Sequence, residues 1–185
     1  MHVGRVVLVD NREDELALKI MKKVPDAIVS TNFKVQLQSG DILCWLPRPN
    51  DYVDDEVQEL ADLIDQSTFL PEKIVMLSIP GTADDASLEQ VEKWYGKDAR
   101  SMIMMHQYAV KMIDEFEIPY TIVRIPPLML TNTSVSVIGE GQPMTGNKLG
   151  INQLVSIFQT VLETNRYLNQ SIGIVNSEGG QQWQT

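Results

Sequence analysis

The stretch Ile118-Pro119-Tyr120-Thr121-Ile122-Val123-Arg124-Ile125-Pro126-Pro127-Leu128 decides how this chain folds. Tyr120 to Ile125 alternates and is rich in β-branched and aromatic side chains, which suit a pleated, half-buried strand. Pro126 and Pro127 end it, because neither has an N–H for a ladder and both favour an abrupt exit. Just before it, Ser101 to Phe116 places Met102, Met105, Ala109, Met112 and Phe116 at helical spacing. Core packing is the expected use of most of these methionines. In an open parallel sheet the strand exits form the ligand crevice, so a strand leaving through two prolines marks where function is to be sought.

The rest of the chain repeats the same grammar. Val3 to Val9 is an apolar run ending in Asp10-Asn11, as in a buried parallel strand. Glu13 to Lys23 reads as a helix, with acids at its start and lysines at its end as the dipole prefers. Ala27–Val29 and Ile42–Leu46 are further strands, the latter closed by Pro47-Arg48-Pro49. Asp54 to Ile64 is a helix with Val57, Leu60, Ala61 and Ile64 on one face. Lys73 to Ile79 is a strand ended by Pro80-Gly81. Val135 to Ile138, followed by Gly139-Glu140-Gly141, suggests a small hairpin or an exposed arm. Asn152–Glu163 is an amphipathic helix and Ser171–Val175 a last strand. Strands alternating with helices imply an α/β fold with a doubly wound, mainly parallel sheet. One domain over 1–175 and a polar tail over 176–185 account for the whole length.

Composition narrows the function. The chain has 185 residues, 43% hydrophobic and 22% charged, with a formal net charge of −10. That charge and the scatter of Lys and Arg disfavour a nucleic-acid surface, which needs clustered cations to neutralise phosphates. The single cysteine, Cys44, excludes an intrachain disulfide, and its apolar surroundings make it a core thiol. Together with the absence of a leader-like or membrane-length apolar run, this points to the cytoplasm and to no membrane partner. No His, Cys, Asp and Glu spacing suggests a metal site.

The helix, then "PYTIVR", then the proline exit resembles the end of the Rossmann domain in atypical short-chain dehydrogenase/reductases, especially the NmrA-like branch. The resemblance runs from Asp41 to Val175 and is weak before it. It implies a Rossmann-type sheet, a nicotinamide dinucleotide (NAD or NADP) as the cofactor, and strand exits as its contacts. In this sequence those are Asp10, Leu46, Pro47, Ser78, Ile79, Ile125, Pro126 and Pro127. Catalytic members of the wider family carry a Tyr followed four residues later by a Lys on one helical face, where the ammonium lowers the phenol pKa. Counted back from "YTIVR", those positions hold Met102 and His106, and a thioether transfers no proton. Ser78, at the end of "KIVMLSIPG", stands about where the family places a serine. His106, Tyr108 and Lys111 are the other candidates for chemistry, although the Tyr108–Lys111 spacing is wrong for the motif. Arg124 is expected to form a structural ion pair. The corresponding helix of the superfamily often packs against its mate, which implies a homo-oligomer, and NmrA-like relatives are often regulators acting through protein partners.

The N-terminal part departs from the pattern. A Rossmann first strand leads into a Gly-rich turn that approaches the pyrophosphate, yet no glycine occurs between Gly4 and Gly40. Asp10, Glu13, Asp14 and Glu15 crowd the helix start instead and would repel a pyrophosphate. Either Val3–Val9 is the first strand with its phosphate loop replaced, or it matches the family's second strand and the sheet has a reduced N-terminal part. The first is preferred, because losing a central strand breaks the sheet. The expected function is a degenerate dinucleotide-binding protein with weak or altered binding and a sensor or interaction role. An NAD(P)H-dependent oxidoreductase of unknown substrate, or a ligand-free structural homodimer, are the alternatives.

Overall fold

The computed structural model describes residues 4–10, 15–129, 134–144, 149–176 and 181–182. Val3, Glu13 and Asp14, and most of the tail lie outside them. In chain order the elements are β1 (Val6–Val9), α1 (Glu15–Lys23), β2 (Ile28–Ser30), β3 (Ile42–Trp45), α2 (Val53–Gln66), β4 (Lys73–Ser78), α3 (Leu88–Tyr95) and α4 (Ala99–Glu115). There follow β5 (Tyr120–Arg124), β6 (Leu128–Met129), β7 (Val135–Ile138), β8 (Leu149–Gly150), α5 (Ile151–Glu163), β9 (Gln170–Asn176) and β10 (Gln181–Gln182).

Eight strands form one sheet in the order β10-β7-β9-β5-β4-β3-β1-β2, and β6 pairs with β8 as a separate two-stranded ribbon. From β2 to β9 every neighbouring pair is parallel, while β7 is antiparallel to both β9 and β10. The central strands are buried on both faces, which is why they read as unbroken apolar runs. Alternate residues feed opposite cores. Val6 and Leu8 join Leu16, Ile20, Leu154 and Phe158 under α1 and α5, and Val7 and Val9 join Val57, Leu60, Ala109 and Ile113 under α2 and α4. The sheet is therefore doubly wound.

The strand order bears on the N-terminal part. β1 is an interior strand, paired with β2 on one side (Val7 opposite Ile28) and β3 on the other (Val7 opposite Leu43). The chain steps from β1 outward to β2, then returns to β3 across β1, so the order reverses between β1 and β3 and a crevice opens there. This supports Val6–Val9 as the first strand of the winding. What is reduced is the segment after β2. It runs from residue 31 to 41 without a helix, tucking Phe33 and Leu37 into the α2 core, and among the described residues one strand, β2, lies beyond β1.

Three sequence expectations change. Val135–Ile138 is neither a hairpin nor an exposed arm, because β7 is zipped between β9 and β10 with Val135, Ser136 and Ile138 buried. Part of the polar tail belongs to the sheet as β10, and Asn176 closes β9. The buried stripe of α4 runs through Ala99, Met102, His106, Ala109 and Ile113, leaving Met105 and Met112 half-buried beside it.

Candidate functional site

The carboxyl ends of β3, β4 and β5 open into one cleft of about 270 Å³, lined by Pro47, Pro49, Leu77, Ser78, Ile79, Tyr95, Ile125, Pro126, Pro127 and Leu128. Six of the eight expected cofactor contacts thus meet in one place. Leu46 does not join them. It is wholly buried, continues the β1–β3 pairing through its N–H to Val9 O at 2.9 Å, and borders a separate small pocket with Phe33 and Trp45. Asp10 stands at the end of β1, 7% exposed, its N–H donating to Ser30 O at 2.8 Å.

Ser78, the last residue of β4, lines the cleft, and His106 on α4 lies behind it, wholly buried. Ser78 Oγ lies 3.0 Å from His106 Nδ1, and His106 Nε2 lies 3.3 Å from Pro49 O. Burial pushes the His106 imidazole down to about 4, against the opposing pull of the Pro49 carbonyl and Asp51. Loop 47–51 is itself fixed, since Asp51 accepts from the Arg48 backbone N–H at 2.8 Å and from Arg48 Nε at 3.0 Å. Tyr95 Oη, also lining the cleft, donates to Ile125 O at 3.1 Å.

Met102 and His106 are both buried, 4% and 0% exposed, so the positions counted as Tyr and Lys are occupied by a core thioether and a core imidazole. Tyr108 and Lys111 are elsewhere. Tyr108 faces the α2 side, its oxygen accepting from Gln58 Nε2 at 2.7 Å, and Lys111 pairs with Glu115 in solvent at 3.7 Å. Arg124 forms the expected ion pair, with Asp85, and both side chains are fully buried.

Sequence reasoning missed Pro49 and Tyr95. Tyr95 is the last residue of α3, which buries only Val91, so its apolar stripe is faint. Its start was legible: Ser87 accepts from the Gln90 N–H, a Ser-x-x-Gln signature. Among the described residues no cluster of His, Cys, Asp and Glu could hold a metal, and no helix is long and apolar enough to cross a membrane.

No family model matches the chain, and no curated protein matches it in sequence. Solved structures do match over their whole length. One is a short-chain dehydrogenase/reductase from Veillonella parvula, with TM-score 0.70 and 13% identity over 98% of this chain and 97% of that one. Another is a wide-type short-chain dehydrogenase/reductase from the same organism in complex with NADP, with TM-score 0.68, 13% identity and 98% of each chain covered. A third is a Rossmann-fold NAD(P)-binding family protein from Shigella flexneri, with TM-score 0.70 and 10% identity over 100% of this chain and 99% of that one. This chain has a Rossmann fold. At such identities the likeness is one of fold, and the Rossmann crevice is where the two prolines after β5 and the Ser78–His106 pair converge.

The residues at this crevice fit the two ends of a nicotinamide dinucleotide unequally. The cleft over β3 to β5 has room for a nicotinamide ring, and its apolar walls suit the ring's faces. At the end of β1, where a phosphate would rest, the described residues offer the Asp10 carboxylate and no glycine.

Proposed function

We propose that the chain is a nicotinamide-dinucleotide-binding Rossmann protein of the atypical short-chain dehydrogenase/reductase kind, with weak or altered binding and a sensor or interaction role. The observation that carries this reading is the convergence of Pro47, Ser78, Ile79 and Ile125 to Pro127 in one cleft, outside the carboxyl ends of the parallel strands and next to the switch point at β1 and β3. The NADP-bound neighbour supports the ligand class. The acid at the end of β1 argues for modest affinity, and Met102 in the place of a catalytic Tyr argues against standard dehydrogenase chemistry. Titration with NADH and NADPH, followed by their fluorescence, tests it. Saturable binding supports the reading, and no binding at millimolar ligand overturns it.

The Ser78–His106 pair favours a second reading, an NAD(P)H-dependent oxidoreductase in which the nicotinamide carries the chemistry and these residues orient the substrate. Turnover of NADPH with an electron-accepting substrate, lost in Ser78→Ala, would distinguish it. A homo-oligomer suits the outer α2–α4 face, where Tyr52, Met104 and Tyr108 are exposed. Sedimentation of the purified chain decides that point.

A further inference from the structure

Both side-chain hydroxyls that line the cleft have committed their protons to the protein. Pro49 O is a carbonyl and only accepts, so the His106 Nε2 that faces it at 3.3 Å carries the ring proton. In a neutral imidazole Nδ1 then holds a lone pair, and the 3.0 Å contact is Ser78 Oγ–H donating to it. The depressed imidazole pKa keeps the ring neutral at pH 7. Tyr95 Oη–H likewise points at Ile125 O, 3.1 Å away. The walls add little donor capacity, because Pro47, Pro49, Pro126 and Pro127 have no N–H. Ser78 therefore meets a ligand with its oxygen lone pairs.

Resting on the dinucleotide reading above, we infer that this cleft selects a ligand group that donates N–H or O–H, and that it holds a nicotinamide ring by the primary carboxamide, whose NH2 donates to Ser78 Oγ. His106 is the positioning residue that fixes the serine proton away from the ligand. A ligand whose corresponding group only accepts, such as a ketone or a carboxylate, meets an oxygen that has nothing to give it. The selectivity follows from hydrogen-bond direction and not from charge or size.

The test compares NAD with its 3-acetylpyridine analogue, in which a methyl replaces the carboxamide NH2 and the carbonyl is kept, by calorimetry on the full chain at pH 7. One lost hydrogen bond to a buried acceptor predicts that the wild type binds the analogue roughly fivefold to tenfold more weakly. Ser78→Ala should bring that ratio close to one. His106→Phe should also reduce it, because the serine proton is then free to turn toward the acetyl oxygen. Circular dichroism confirms that each variant is folded. Equal affinities in the wild type, or a ratio unchanged in Ser78→Ala, would overturn the inference while leaving dinucleotide binding intact. If neither dinucleotide binds, the functional reading fails, and free nicotinamide against 3-acetylpyridine decides the cleft by the NMR signals of the His106 ring. A shift with nicotinamide alone supports the donor rule, and equal shifts or none sink it.

Discussion

Arg124 and Asp85 form an ion pair with neither side chain exposed at all, one at the end of β5 and the other in the loop between β4 and α3. The guanidinium also donates to Ser171 Oγ at 2.9 Å, Ser171 O at 3.1 Å and Gly139 O at 3.3 Å, while Asp85 Oδ1 accepts from the Gly81 N–H at 2.7 Å. Burial pushes the guanidinium pKa down and Asp85 pulls it back up. One charged pair thus fastens the loop beside the cleft to β5, β9 and the turn after β7.

Removing one partner leaves a buried charge, so Asp85→Ala should destabilise by about 3–5 kcal/mol. Asp85→Asn, which can still accept from Gly81, should be milder. Arg124→Met combined with Asp85→Leu should fall well short of the sum of the two single losses, since no lone charge remains. Urea midpoints of the set measure this, and strict additivity would show that the two residues do not act as a pair.

Lys73 makes a second long-range tie. Its ammonium donates to Val161 O at 2.6 Å, Leu162 O at 3.2 Å and Thr164 O at 2.8 Å, capping the carbonyl end of α5 from the start of β4. Lys73→Met keeps the buried stem but leaves these carbonyls unmet and removes a cation from the negative end of the helix. A loss of about 1–3 kcal/mol is expected, with amide exchange rising first in the last turn of α5. Unchanged protection there would mean that other donors satisfy the carbonyls.

Much of this was legible because the interior strands announce themselves. "VVLV", "ILCW" and "KIVMLS" are buried on both faces and leave no polar position to confuse the reading. The strand exits were legible for the same reason, through Pro47, Pro80 and Pro126. Pairing across long separations was not. β7 lies beside β9, with Ser136 opposite Val175, and nothing local to "VSVI" signals that partner. His106 read as one polar residue on a methionine helix. Its meaning comes from Ser78, 28 residues away in the sequence, and from the Pro49 carbonyl, both delivered by the packing of α4 on the sheet.

Two titrating groups, the buried His106 and the half-buried Glu56, should give stability opposite slopes with pH. The His106 pKa falls from 6.5 to about 4, so between those values the unfolded chain binds more protons and stability is lost as pH drops, by up to about 3 kcal/mol. Glu56 accepts from Trp45 Nε1 at 3.1 Å, and burial with the nearby Asp51 raises its pKa from 4.5 to about 7. It binds more protons folded than unfolded, so its contribution is present below 4.5 and lost as pH rises through 7. Between pH 4.5 and 6.5 these two slopes oppose and nearly cancel, so Glu56→Gln should expose a rise in stability with pH and His106→Phe should expose a fall. Guanidinium midpoints between pH 4 and 8 report both, and parallel profiles for all three proteins would refute the assignment.

The placement of the cleft itself can be tested without knowing the biological ligand. Ser78 and Pro126 line it, whereas Lys93 is paired with Glu89 on the outer side of α3 and Gln159 bonds Glu163 along α5. All four can be exchanged for Ala, and the two distant ones are expected to change stability by less than about 0.5 kcal/mol. With NADH as the probe, Ser78→Ala and Pro126→Ala should change the dissociation constant several-fold. Pro126 acts by setting the exit of β5, where the Ile125 N–H still donates to Ser78 O at 3.2 Å and the next residue must leave the sheet. Lys93→Ala and Gln159→Ala should leave the constant within twofold. Equal effects at all four positions would mean that the ligand does not sit over β3 to β5, and the separate pocket bordered by Leu46, Phe33 and Trp45 would then become the place to look.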